Sequence, residues 1–215
     1  MTRATMAEVT AQMVRQLRDA TGAGMMDCKL ALEESSGDLA KAKDWLRQKG
    51  ITKAAERAGR STRQGIVEAY IHQGGQVGVL VEVNSESDFV ARNEVFQKLA
   101  REIALQIAGS SPRFVRREDV PSEEVRREKE LAMAQARDQG KPEAMLEKIA
   151  EGKLNAFYRE VCLLEQPYQR DPKMSVSELI AQAVSQLKEN IVVSRFARFR
   201  VGEAVSSAPS PAATG

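Results

Sequence analysis

The stretch IVEAYIHQGGQVGVLVEVN, residues 66–84, decides the fold. In its second half every other residue from position 77 to position 83 is a valine, an alternation typical of a strand with one buried face. Gly74 and Gly75 lie between the two halves, and glycine readily adopts the positive φ angles that a tight hairpin turn requires. We therefore predict an antiparallel hairpin with strands at residues 66–72 and 77–84.

A helix and a third strand extend this hairpin. Apolar residues at helical spacing follow it and form a wide stripe, which predicts a helix packed on the hairpin: Phe96, Leu99, Ala100, Ile103, Ala104 and Ile107. The segment IVVSRFARFRV, residues 191–201, alternates again and predicts a third strand. The expected fold class is α+β, with a small three-stranded antiparallel sheet packed by helices.

The first fifty residues have helical spacing instead. They predict three short helices: residues 7–18, residues 25–34 with Thr21 as N-cap, and a third that begins after the N-cap Asp38 and ends at Gly50. Trp45 is expected to anchor the core of this bundle. Residues 51–65, rich in Ala and Arg, are interpreted as a partly helical linker.

The remaining segments complete a division of the chain into four parts. A charged surface helix is predicted at residues 122–140, short helices after Pro142 and at 154–164, a loop at PYQRDPK, and an amphipathic helix at 176–187. The predicted parts are a three-helix module at 1–50, the linker at 51–65, an α+β core at 66–204 and a disordered tail at 205–215.

The composition narrows the classes of function. Of the 215 residues, 32 are basic and 30 acidic, and a net charge of +2 argues against a protein that binds nucleic acid directly. The sequence shows no membrane span and no apolar signal-peptide core, so we expect a cytoplasmic protein.

Few side chains are available for catalysis. His72 is the single histidine and is expected to be a solvent-facing structural residue. Cys28 and Cys162 are expected to be buried or idle, with a disulfide between subunits as the alternative. Phosphate-binding glycine motifs are absent from the sequence. We therefore predict a protein that is not an enzyme and that holds no cofactor and no metal.

The segment VNSESDFVAR, residues 83–92, places an acid beside a large apolar ring where a strand gives way to a helix. Ser85 and Asp88 have the spacing of a capping box, so a purely structural role for Asp88 is one reading. Phe89 lies seven residues before Phe96, so both rings face the sheet if the helix starts early. The alternative reading is that both residues at the bend contact another protein.

Two segments favour the second reading. LRDATGAGMMDCKLAL, residues 17–32, and EVNSESDFVAR, residues 82–92, closely resemble the two signature segments of the bacterial elongation factor Ts family. WLRQKGI, LLEQPY and SRFARFRVGE extend the resemblance over nearly the whole chain except the tail. The chain resembles the short form of the family, with one core subdomain in place of the duplicated core and helical hairpin of longer members. It departs from the family pattern at Leu30, where a basic residue is common, at Ser85, where cysteine is usual, and at Ser87, where threonine is usual.

The resemblance implies a function in translation. The family promotes release of GDP from elongation factor Tu, binds that GTPase in its GDP-bound and nucleotide-free states, and performs no bond chemistry. Residues matching Ser87, Asp88, Phe89 and Val90 insert into the GTPase domain and disturb its Mg²⁺ site. The expected partner is elongation factor Tu, with no membrane. Short members of the family can also form a homodimer, for which the sheet with the C-terminal strand is a reasonable interface, but no feature of the sequence gives the oligomeric state.

The resemblance also implies a second contact surface. The N-terminal module is similar to a ubiquitin-associated domain, and Arg18, Met25 and Met26 match positions that dock on the partner. Plain core packing is the alternative for the two methionines. Because neighbours on a helix point about 100° apart, we expect one of them at the surface.

Two other classes of function stay open from the sequence, of which a small hydrolase is the weaker because it would act without a second histidine or a recognisable nucleophile motif. A helical adaptor or RNA-contacting protein would use the three-helix module and the basic linker at residues 51–65. Such a protein would be retained on polyanions in a manner that weakens steeply with salt.

Overall fold

The computed structural model describes residues 9–203 and confirms the α+β class. In chain order the elements are α1 Ala11–Thr21, α2 Met25–Glu34, α3 Leu39–Arg57, β1 Gln64–Ile71, β2 Val77–Ser85, α4 Asp88–Ala91, α5 Glu94–Ser110, α6 Ser122–Asp138, α7 Glu143–Val161, β3 Pro167–Tyr168, β4 Asp171–Ser175, α8 Val176–Leu187 and β5 Ile191–Arg200. The predicted tail, from residue 205, lies outside the described residues.

The main sheet has the predicted three strands in the order β1, β2, β5, all antiparallel. Gly74 and Gly75 form the turn with φ angles of 86° and 68°, which a side chain with a Cβ adopts only at a cost. The register pairs Ala69 with Leu80 and Leu80 with Ala197. The hairpin and the distant third strand are therefore confirmed.

The core lies on one face of this sheet. The valines at 79, 81 and 83 are buried there against the predicted stripe of α5, including Phe96 and Ile103, and α8 completes the same core by packing on α5 and β5. The opposite face carries no other element of the described chain and exposes Val67, Leu80 and Phe199.

The three N-terminal helices enclose a separate small core around Leu17, Cys28 and Leu32. Asp38 caps α3 as predicted, since its carboxylate accepts hydrogen bonds from two backbone N–H groups in the first turn. The N-cap predicted for α2 was wrong: α1 extends to Thr21, whose hydroxyl donates to a backbone carbonyl of its own helix, and Gly24 precedes α2 instead. Trp45 is half-buried at the edge of this core.

Helix α3 does not end at Gly50, as the sequence predicted. It continues for seven more residues to Arg57, and its second half packs against α8 of the core. Gly50 is buried close to Ala181 of α8, so this contact between two helices replaces the helix end that glycine favours in isolation. The linker is thus partly helical, as predicted, while the division of the chain into module, linker and core stays a prediction.

Helices α6 and α7 form an antiparallel pair that lies largely at the surface. The two short helices predicted after Pro142 and at 154–164 are one continuous helix, α7, with Gly152 exposed inside it. Lys129 and Glu147 form an ion pair across the two helices. The resemblance to the short form of the family implied that the chain lacks a helical hairpin, and this expectation was wrong.

The prediction that PYQRDPK, residues 167–173, is a loop was also wrong in part. Its residues form the short strands β3 and β4, which pair at Tyr168 and Asp171. The Tyr168 hydroxyl donates to Glu102 of α5 at 2.7 Å. This contact from a distant helix fixes a turn that has no strand pattern of its own.

Both cysteines are buried and free, as the favoured reading predicted. Burial raises the pKa of the Cys162 thiol to about 11. His72 is exposed, and its Nδ1 lies 2.9 Å from the Tyr70 hydroxyl. Among residues 9–203, no helix has the length and apolar character needed to cross a bilayer.

Candidate functional site

The bend after β2 contains a single helical turn, α4, that is separate from α5. Ser87 is its N-cap: its hydroxyl accepts a hydrogen bond from the Val90 N–H at 3.3 Å. Asn93 caps α5 in the same way through the Val95 N–H. Two consecutive caps break the helix at the bend, so α4 and α5 do not share one continuous apolar stripe.

This break decides which way the two phenylalanines point. Phe96 is fully buried under the sheet, whereas Phe89 is 80% exposed, the highest value of any large apolar side chain among residues 9–203. The reading in which both rings face the sheet was therefore wrong. Single exposed apolar side chains are common at protein surfaces, so what this exposure establishes is that the Phe89 ring is accessible to a partner.

The residues around Phe89 anchor the turn. Val90 packs partly against the main core, and Ala91 is buried in it. Because successive residues of a helix point about 100° apart, anchoring these two residues directs the Phe89 ring away from the core. The ring thus projects from a fixed base.

Asp88 is not the cap that the capping-box reading required. Its carboxylate accepts a hydrogen bond from the Arg92 guanidinium at 2.8 Å, one helical turn later. Ser85, the proposed partner in the box, is buried and donates its hydroxyl hydrogen to the Ser87 carbonyl. The i,i+4 spacing of Asp88 and Arg92 was a signal in the sequence that could have identified this pair.

The carboxylate of Asp88 remains available to a partner. The Arg92 side chain is largely exposed and the Asp88 side chain about half exposed, and solvent-accessible pairs of this kind contribute about 0–1 kcal/mol to stability. Little free energy is therefore lost if either charged group leaves the pair for a group on another protein.

The second predicted surface lies on the N-terminal module. Arg18 is exposed at the end of α1, and Met25 and Met26 are 50% and 77% exposed at the start of α2. The expectation that one of the two methionines lies at the surface is confirmed, and the structure exposes the other as well, so plain core packing accounts for neither side chain. Leu30 is partly exposed one helical turn after Met26 and extends the same apolar face.

The chain is similar to known proteins over most of its length. The sequence model of the family described as Elongation factor TS matches residues 48–203. Elongation factor Ts of Anaeromyxobacter sp. (strain K) is 58% identical over 198 residues, which cover 92% of this chain and 90% of that protein. Elongation factor Ts of Carboxydothermus hydrogenoformans is 52% identical over 198 residues, covering 92% and 91%.

These relatives span both the module and the core, so the likeness is not confined to one part of the chain. Elongation factor Ts acts in cytoplasmic translation elongation, in agreement with the localisation expected from the sequence. The chain belongs to the elongation factor Ts family and is a nucleotide-exchange factor, not an enzyme, whose partner is elongation factor Tu.

Proposed function

We propose that residues 87–90 form a wedge that enters the GTPase domain of elongation factor Tu and disturbs the site that holds Mg²⁺ and the phosphates of GDP. The observation that carries this proposal is the exposure of the Phe89 ring on an anchored turn. Ser87 caps the turn, Val90 fixes it to the core, and Asp88 presents a carboxylate next to the ring.

The wedge is useful only if it binds one state of the partner better than another. A ligand shifts an equilibrium by its differential affinity, so the factor must favour the nucleotide-free state over the GDP-bound state. Each tenfold loosening of GDP requires about 1.4 kcal/mol of such coupling. Burying a phenylalanine supplies about 1.5–3 kcal/mol, so the ring provides one to two of these steps and other contacts supply the rest.

Asp88 adds a charged contact to the same surface. Its pairing with Arg92 keeps the carboxylate solvated and oriented while the factor is free. In the complex this carboxylate competes for groups that support the metal. Its removal therefore weakens exchange while changing the fold little.

The N-terminal surface, defined by Arg18, Met25 and Met26, is a second docking point on the same partner. Methionine is unbranched and adapts its shape, which suits a contact surface. This surface holds the factor on the GTPase domain whether or not GDP is present. The wedge is then held at a fixed distance from the surface of the GTPase domain that it enters.

A homodimer through the open face of the sheet is part of the same proposal. That face carries Val67, Ile71, Leu80 and Phe199, all exposed and contributed by all three strands. An uncovered sheet face of this kind favours packing against a second sheet. Because both thiols are buried, neither is placed to form a disulfide between subunits, and the proposed dimer rests on packing of the two sheets alone.

The polyanion-binding alternative gains no support from the linker. Arg57 donates hydrogen bonds to backbone carbonyls of Lys53 and Lys188, and Arg60 pairs with Glu86 at 3.5 Å. These guanidinium groups are engaged within the chain.

A release assay tests the wedge. Fluorescent GDP is bound to elongation factor Tu and its release is followed by stopped flow with the wild-type factor, Phe89→Ala and Asp88→Ala. We expect slower release with both variants at unchanged circular dichroism. Wild-type rates with Phe89→Ala would remove the ring from the mechanism.

A further inference from the structure

The carboxylate of Glu189 binds Ser87, the first residue of the wedge, although the two residues are far apart in the chain. Its Oε1 accepts the Ser87 hydroxyl hydrogen at 2.6 Å, and its Oε2 accepts the Ser87 backbone N–H at 3.0 Å. One carboxylate thus takes both donors of the residue that caps α4. A separation of 102 residues kept this contact from being visible in the sequence.

The loop that carries Glu189 is itself held in place. The backbone N–H of Asn190, next in the chain, donates to Glu86 at 2.6 Å, on the loop that leads to the wedge. The Asn190 side-chain amide donates to the carbonyls of Ala58 and Arg60 at 3.3 and 2.9 Å, just after α3. The carboxylate therefore acts from a fixed point.

These hydrogen bonds fix the orientation of α4 more than they strengthen its attachment to the core. The Ser87 hydroxyl donates to Glu189 while it accepts the Val90 N–H, so the same oxygen links the carboxylate to the first turn of α4. Charge-assisted hydrogen bonds of this kind are short and directional. They define the direction in which the Phe89 ring, two residues further on, leaves the core.

We propose that Glu189 is a positioning residue for nucleotide exchange: through Ser87 it sets the direction of the Phe89 wedge without touching the partner. This inference rests on the proposed function of the wedge. Residues that orient a functional group produce large losses when they are removed, since a displacement of about 1 Å can cost about a hundredfold in rate.

A double-mutant cycle tests it. Wild type, Glu189→Ala, Phe89→Ala and the double variant are compared for the maximal rate of GDP release from elongation factor Tu and for the concentration of factor that gives half that rate. We expect Glu189→Ala to lower the maximal rate about tenfold, a coupling of about 1.4 kcal/mol, and to change the half-saturating concentration less than about threefold. In the Phe89→Ala background, the same substitution should change the maximal rate less than about twofold.

Two further variants separate positioning from stability. Glu189→Gln keeps one acceptor oxygen and is expected to lose about threefold, again only when Phe89 is present; it also serves if the alanine variant fails to fold. Glu178→Ala removes a comparable carboxylate from the capping box of α8, where it accepts the Ser175 N–H at 2.8 Å, and should leave the maximal rate unchanged even if it lowers the melting temperature.

The outcomes distinguish the two proposals. If Phe89→Ala exchanges at the wild-type rate, the wedge itself fails. If Phe89→Ala is impaired but Glu189→Ala either exchanges normally or loses the same factor in both backgrounds, the wedge stands and the positioning role of Glu189 is overturned. A loss with Glu189→Ala that vanishes in the Phe89→Ala background supports both.

Discussion

Phe89 and Phe96 are seven residues apart, and truncating each to alanine should have opposite consequences. Full burial of a phenylalanine side chain is worth about 1.5–3 kcal/mol. Because Phe89 is 80% exposed in the free chain, about four-fifths of that, or about 1.2–2.4 kcal/mol, is still available on binding. At about 1.4 kcal/mol per tenfold, Phe89→Ala should slow partner-stimulated GDP release about 7- to 50-fold.

The two substitutions should differ in the opposite sense in their effect on the stability of the fold. Phe96 is fully buried, and Phe96→Ala should lower the free energy of unfolding by about 3–5 kcal/mol. For a chain of this size this corresponds to a fall in melting temperature of at least about 6 °C. Phe89→Ala removes little buried surface and should change the melting temperature by less than about 2 °C.

The assay combines both measurements on the same preparations. GDP release is followed by stopped flow at saturating factor, and thermal unfolding by circular dichroism. Leu131→Ala is the matched control, because Leu131 is an exposed apolar side chain on α6, far along the chain from the wedge. It should leave both quantities near their wild-type values.

Two results would contradict a solvent-facing Phe89 that acts on the partner. If Phe89→Ala lowers the melting temperature as much as Phe96→Ala, the ring is part of the core in solution. If Phe89→Ala releases GDP no more slowly than Leu131→Ala, the ring is exposed but does not act on the partner.

Substitutions at Gly50, Leu80 and Phe199 and the reactivity of Cys162 test other parts of the fold. Gly50→Ala should raise the free energy of unfolding, measured by urea titration, by about 0.5–1 kcal/mol, because Gly50 lies inside α3. An added Cβ would meet the Ala181 carbonyl oxygen at 3.7 Å, an ordinary van der Waals distance. A destabilised variant would show that the contact between α3 and α8 has no room for a methyl group. The pKa of the Cys162 thiol is raised to about 11, so about a thousandth of the thiol is thiolate at pH 8. A thiol reagent should therefore label Cys162 slowly in the native protein and rapidly in guanidinium, and the native labelling rate should rise about tenfold per pH unit below that pKa. Fast labelling of the native protein at pH 8 would contradict the burial of this thiol. Leu80→Lys or Phe199→Glu should shift a dimer to monomer in sedimentation experiments with and without reductant, because each places a charge on the open face of the sheet; a wild-type protein that is monomeric at every concentration would rule out the homodimer.

The sequence was most informative where the physical cause is local. The alternation of residues 77–83, the glycines at the turn and the cap at Asp38 each act within a few residues, and all three were correctly predicted. The apolar stripe of α5 was found for the same reason, since its period of 3.6 residues is visible without knowledge of the partner surface.

It was least informative where distant segments compete with local preference. Gly50 favours the end of a helix, but packing between α3 and α8 carries the helix through it. PYQRDPK has the composition of a loop, but contacts with α5 hold part of it as a short hairpin. Both errors have one cause, which is that local propensities differ by about 1 kcal/mol and tertiary contacts exceed them.

At the candidate site, the residues at the bend and, through resemblance, their family could be read from the amino-acid sequence alone. The opposite directions of Phe89, toward solvent, and Phe96, toward the core, are visible only in the folded chain, because they depend on two successive caps and on the burial of Val90 and Ala91. The same holds for Glu189, which meets Ser87 only after the sheet and α8 have brought the two ends of the core together. Local pattern records what a residue prefers, whereas the direction of an exposed side chain depends on packing contacts made across the whole chain.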